Sequence, residues 1–237
     1  MKKGVIIMTL ILSMFTDISP AQERPAYNAG AFYPANPAEI TSLITAYLKN
    51  AGAKTLPQKP FGIIVPHAGY IYSGPVAAYA YREVKDQEYD AVIVLAPCHV
   101  EYFPFAAIYP GDAYLTPLGK VAVDKKLAAQ CVTADRLVKL ATEGHLSQRF
   151  GRAEHSLEVQ LPFLQIVLPN TPIVPIVIGT HDWRVLESLG NRLGDLLVQK
   201  NILIVASSDF SHYHSYSECQ KIDQRAIESL KQLDAVK

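Results

Sequence analysis

The sequence predicts a single-domain α/β fold in which a largely parallel or mixed central sheet is flanked by helices. Three observations carry this. Short β-branched runs at 61–65, 91–95, 172–178 and 201–205 are bounded by Gly, Pro and polar residues, as buried parallel strands are. Segments of helical periodicity alternate with them. No repeat, low-complexity tract or linker divides the 237 residues, and at 49% hydrophobic they suffice for one large core.

Taken in order, residues 1–21 form a separate segment. Met1-Lys2-Lys3 is basic, 4–15 is apolar but short for a bilayer span, and Ser19-Pro20-Ala21 offers small residues for cleavage. The pattern is that of a bacterial-type secretory signal, so an exported, periplasmic protein is expected. An uncleaved anchor or an apolar extension is the alternative, with a cytoplasmic location if the segment is no signal. The domain proper is then 22–237. An aromatic, irregular stretch covers 24–34. Asn36 can cap a helix that opens on Pro37, with Glu39 at capping-box spacing and Ile40, Leu43, Ile44, Tyr47 and Leu48 on its apolar face.

The 61–65 strand runs through a loop bearing His67 to a helix expected at 76–85, with Ser73 as cap, and then to the 91–95 strand. This reads as a right-handed βαβ unit. The turn-rich stretch 102–123 suggests antiparallel strands at the sheet edge. Asp124 can cap a helix running to about 142. Residues 154–158 open another helix, with Leu157, Leu161, Leu164 and Leu168 inward and a kink expected at Pro162. A 173–178 strand, a helix at 183–200, a strand at 201–205 and a polar helix from about 217 follow. That helix meets no terminating signal before Lys237, so a further C-terminal piece is expected.

Composition excludes several classes. Twenty-two basic and 22 acidic residues give a formal net charge of zero, which leaves no nucleic-acid footprint. Membrane contact is expected only through the N-terminal segment. The three cysteines are odd in number and show no CxxC spacing, so neither a zinc finger nor a redox motif is present. Gly62, Gly69 and Gly74 form no dinucleotide or phosphate loop, and Ser207 and Ser208 lack the nucleophile-elbow context.

Histidine is the informative residue. His67, His99, His181, His212 and His214, five of the seven, follow apolar runs. In open α/β sheets ligands sit beyond the carboxyl ends of the strands. If His67 and His99 end neighbouring strands about 4.8 Å apart, they can converge on one ion. Neutral imidazole suits iron, zinc or copper, although each ring could equally bond a loop backbone. His155, between Glu154 and Ser156, suits an acid–base residue oriented by a carboxylate, or a helix cap. Asp209 and His212 could form an oriented acid–base pair, or either could ligate a metal. His145 and His181 read as structural, and His214 as solvated.

Four segments now resemble one family: 24–34 (RPAYNAGAFYP), 65–75 (VPHAGYIYSGP), 154–163 (EHSLEVQLPF) and 207–213 (SSDFSHY). They resemble the Memo family, whose prokaryotic members are called AmmeMemoRadiSam system protein B. The resemblance implies a LigB-like fold, that of the catalytic subunit of class III extradiol dioxygenases, which hold Fe(II) on two His and a carboxylate. Carried over by motif, His67 and His99 are the metal ligands, His212 the acid–base residue and His155 a further pocket histidine. Asp209, Ser211, Glu154 and Tyr70 would bind substrate or support these. The family's third ligand lies beyond the 207–213 motif and has no match here. The site would then use two histidines with water or a neighbour such as Asp209, unless the sequence is part of a longer protein. Copper or zinc could replace iron, and a metal-free domain is the other alternative.

Two functions follow from the resemblance. One is an iron-dependent, dioxygenase-like oxidoreductase acting on a phenolic or similar small molecule. The other is a non-catalytic binding protein for a small molecule or peptide, working with Amme-domain and radical-SAM proteins, its groove lined by Tyr70, Tyr72 and Tyr213.

Overall fold

The computed structural model describes residues 22–52 and 56–232. The signal expected over 1–21 lies outside them. Among the described residues no helix is long and apolar enough to cross a membrane.

The elements run β1 (Glu23–Arg24), α1 (Pro37–Asn50), β2 (Gly62–Val65), α2 (Tyr70–Val84), β3 (Ala91–Pro97), β4 (Ala106–Ile108), β5 (Ala113–Thr116), β6 (Gly119–Ala122), α3 (Lys125–Cys131), β7 (Val138–Leu140), β8 (Gln148–Arg149), β9 (Arg152–Ala153), α4 (Leu161–Val167), β10 (Ile173–Ile178), α5 (Trp183–Gln199), β11 (Ile202–Ser207) and α6 (Tyr216–Gln232). The central sheet has the order β2-β11-β3-β10-β4-β7. Its first four strands are parallel, and β4 then runs antiparallel to β10. The expected mixed α/β architecture is therefore what the chain adopts. The antiparallel edge falls partly in this sheet, as β4, and partly in a separate sheet of order β1-β5-β6.

Strand alternation builds two cores. Val92, Val94, Leu203 and Val205 pack with Ile40, Ile44, Ala78, Tyr81 and Phe163 on the face covered by α1, α2 and α4. Ala91, Ile93, Val174 and Ile176 pack with Leu127, Val185, Leu189 and Leu193 of α3 and α5 on the other. The result is a helix–sheet–helix sandwich. Local chemistry fixes the helix starts: the Asn36 side chain accepts from Ala38 N and Glu39 N, and Asp124 accepts from Leu127 N.

Five expectations are corrected. β2 and β3 are not neighbours, because β11 lies between them. The helix expected to 142 ends at Cys131: Asp135 accepts from Thr133 Oγ1 and Leu137 N, closing a turn that starts β7 instead. Residues 154–158 are not a helix start, since the Glu154 side chain takes the amides of His155 and Ser156 into a turn. Helical winding begins with a 3-10 turn at Glu158–Gln160, and Pro162 sits in the first turn of α4, where it makes no kink. Finally, α2 starts at Tyr70 rather than at 76, with Pro75 inside it.

Candidate metal centre

The site lies where the loops after β2 and β3 lean together over the end of β11. His67 is two residues beyond β2 and His99 two beyond β3. Their ring centroids are 5.3 Å apart despite the strand between them. His155 joins them from the turn before α4, stacked on His99 at 4.8 Å and edge-on to His67 at 5.7 Å. Each of the three rings offers one nitrogen, and these nitrogens all lie within 4.8 Å of one another. His67 is buried, His155 half-buried and His99 exposed, so the cluster opens to solvent past His99.

Each ring is held from behind. His99 Nδ1 lies 3.0 Å from Glu154 Oε1, and the His99 amide donates to Glu154 Oε2. Glu154 Oε1 also accepts the His155 and Ser156 amides, each at 2.9 Å. Burial opposes ionisation of Glu154, but the bonds from His99 and Ser156 outweigh it and hold the carboxyl down to about 2. The same Glu154 bond raises the His99 pKa. His67 Nδ1 lies 2.8 Å from Ser207 Oγ. Burial pushes His67 down to about 4, against the pull of Asp209, and burial also lowers His155. The ring of Phe32 stacks on His155 at 4.3 Å. Thus Glu154, expected to orient His155, is chiefly the partner of His99, and His155 stands with the two expected ligands rather than apart as a pocket residue.

The loop after β11 supplies the outer groups. Asp209 accepts from the His67 amide, and its Oδ2 stands 3.8 Å from His67 Nε2 and 3.5 Å from His212 Nε2. Phe210 holds φ 61°, a left-handed conformation costly for a bulky residue, which turns the loop so that Asp209 and His212 face each other. His212 is exposed, and its Nδ1 donates to Phe210 O at 2.9 Å. The Ser211 amide donates to Asp223 of α6, while its buried hydroxyl has no hydrogen-bond partner among the described residues.

Tyr70 is a correction. It is 3% exposed, its hydroxyl donates to Val159 O, and its ring lies against Tyr33 and Phe163, so it packs the core and lines no groove. Tyr72 and Tyr213 are exposed. His145 is structural as expected: fully buried, with Nδ1 bonded to Tyr114 OH and Nε2 to Ala107 O.

Sequence reasoning missed two residues. Ser207 continues the inward face of β11 set by Leu203 and Val205, and a hydroxyl on an apolar face signals a buried bond. Glu158 is fully buried and accepts from Arg24, Asn28 and Tyr33, tying segment 24–34, and with it Phe32, to the site. A charged residue among Leu157, Val159 and Leu161 was the available signal.

The chemistry of the donor set fits a metal ion. Three imidazole nitrogens lie close together, two of the rings bond through Nδ1 to a hydroxyl or carboxylate, and a second carboxylate stands at the edge.

Comparison with known proteins identifies the family. The family model described as Memo-like protein matches residues 24–237. A MEMO1 family protein of Saccharolobus solfataricus is 36% identical over 220 residues, covering 87% of this chain and 75% of the relative. One from Sulfolobus acidocaldarius matches to the same extent, and one from Thermoplasma volcanium is 32% identical over 212 residues, or 89% of this chain and 75% of the relative. Among solved structures, an uncharacterized Escherichia coli K12 protein matches at 14% identity and a TM-score of 0.39, over 64% of this chain and 61% of that one. The resemblance seen in the four segments thus extends along nearly the whole domain: the chain belongs to the Memo family.

Proposed function

We propose that the protein holds a divalent transition metal, iron first among the candidates, on His67, His99 and His155, and that it acts there on a small phenolic substrate. The convergence of three imidazole nitrogens carries this reading. Bound there, iron supplies a Lewis-acidic, redox-active centre with open coordination positions. The chain's own groups supply the proton chemistry. Because His212 Nδ1 donates to Phe210 O, the neutral ring keeps its lone pair on Nε2 and can take a phenolic proton. The resulting cation faces the Asp209 carboxylate 3.5 Å away. Phe32, stacked on His155, supports that ring.

Metal titration of chelator-stripped protein tests the reading. One Fe(II), Co(II) or Zn(II) per chain is expected, raising thermal stability by about 2.7 kcal/mol at a hundredfold excess over Kd. His155→Ala should lose most of that affinity. A wild type that takes up no metal overturns the proposal, and an unchanged His155→Ala reduces the centre to two histidines.

A second reading, an accessory protein for Amme-domain and radical-SAM partners, is favoured by one surface. Ile71, Tyr72, Val76 and Tyr79 of α2 stand exposed in a stripe that starts beside the His67 loop. Stable complexes abolished by Tyr72→Lys, with no turnover of catechols by iron-loaded protein, would favour it.

A further inference from the structure

Ser207 sits beneath His67, and its hydrogen bonds are fully determined by its neighbours. Its Oγ lies 2.7 Å from the Ser156 carbonyl oxygen. A carbonyl can only accept, so the single hydroxyl hydrogen is committed there. Gln160 Nε2 lies 2.9 Å from Ser207 Oγ and 2.9 Å from the Pro66 carbonyl oxygen. That second contact fixes which end of the Gln160 amide is nitrogen, because an amide oxygen would not face a carbonyl oxygen. Tyr81 completes the pattern from behind, its hydroxyl 2.9 Å from Gln160 Oε1. Ser207 Oγ therefore donates once and already accepts once. Its remaining lone pair faces His67 Nδ1 at 2.8 Å. Only an N–H can satisfy it. His67, Ser156, Gln160, Ser207 and Tyr81 are all buried, so no bulk water competes for these bonds.

We infer that Ser207 is a positioning residue: locked by Ser156 and Gln160, it holds His67 as the Nδ1–H tautomer and presents the Nε2 lone pair to the space shared with His99 and His155. The Nε2–H form is the one a free histidine prefers, so the relay works against the intrinsic preference. Its reach is long for one side chain. The bonds run from Tyr81 in the last turn of α2 through Gln160 and the end of β11 to a ring at the mouth of the sheet. His99 is held in the same sense by Glu154, so the two rings reach one tautomer by different means, a charged partner for the half-exposed ring and a neutral relay for the buried one. A neutral acceptor suits the buried position, where a second carboxylate would need its own compensation.

The tautomer itself needs no metal. Only the affinity arm of the test rests on the proposed metal centre. Long-range 1H–15N correlation of the imidazole rings in metal-free protein at pH 8 reads it directly. Wild type and Ser207→Thr are expected to show His67 protonated on Nδ1. Ser207→Ala, which removes the acceptor, should shift His67 toward Nε2–H. Zn(II) affinity should fall 10–100-fold in Ser207→Ala and recover in Ser207→Thr. Wild-type His67 protonated on Nε2 overturns the inference, as does a Ser207→Ala protein that keeps the Nδ1–H form. Should Ser207→Ala not fold, the wild-type spectrum alone still decides the tautomer. If wild type shows the Nδ1–H form yet binds no metal, the metal centre fails while the relay stands.

Discussion

Glu154 and Glu158 lie four residues apart and organise two polar clusters that differ in one respect. Around Glu158 the bonds close on themselves. Its carboxylate accepts from Arg24 Nη1, the Asn28 amide and side chain, and Tyr33 OH, while the other Arg24 nitrogens go to His145 O and Glu154 O. Around Glu154 they stop halfway: His99 is bonded through Nδ1, and its ring lies beside those of His67 and His155 with one nitrogen of each within 4.8 Å of the others. A buried polar cluster with every group matched is a brace. One that is matched on its outer side and open on its inner side is a site. Both types occur here within one short segment, so the presence of buried charge does not tell them apart, and the direction of the unused lone pairs does.

The largest test of this contrast is Arg24→Ala. Leaving Glu158 buried without its cation should cost about 3–5 kcal/mol, read as a lower urea midpoint. A loss below about 1 kcal/mol would mean that the Glu158 cluster is no brace. The pH dependence comes next. His145, whose carbonyl receives Arg24, is pushed by burial down to about 3. The unfolded chain takes up that proton below about pH 6.5 and the folded chain does not. The associated stability is therefore complete above pH 6.5 and is lost toward pH 3, at no more than about 1.4 kcal/mol per pH unit. His145→Gln should flatten that slope in denaturation curves measured from pH 7 to 4. The smallest effect is expected from His99→Ala. Its ring is 42% exposed, so stability should change by about 1 kcal/mol or less while metal uptake is lost. A cost as large as that of Arg24→Ala would place His99 in the brace.

Much of this arrangement was legible in the sequence. The strands, most helices and the strand-end histidines follow from β-branched runs, caps and the position of polar clusters. What was not legible was the order of strands. Consecutive runs with a helix between them suggest adjacency, yet β11 enters between β2 and β3 because its six apolar-rich residues fill the centre of the sheet on both faces. That insertion carries Ser207 and Asp209 under the histidines, so the contact of Ser207 with His67 depends on a strand order that the sequence does not display, whereas Asp209 stands out as a carboxylate beside His212. His155 was recognisable as a site residue, but its place beside His67 and His99 depends on the turn that Glu154 imposes. The place of Tyr70 is not legible, because an aromatic residue three positions after a site histidine can equally face the core.

The late position of β11 has a consequence for how the protein forms. Its two neighbours in the sheet are complete by Pro97, but the strand that joins them is more than a hundred residues downstream. Such long-range pairing is slow, since a large loop must close before the contacts that reward it exist. During synthesis His67 and His99 emerge early and have nothing beneath them until residue 207 has been made. The nascent N-terminal half therefore lacks the finished arrangement around these histidines, so the proposed centre would meet its ion only after folding, and a completed geometry rather than the order of encounter would make the selection.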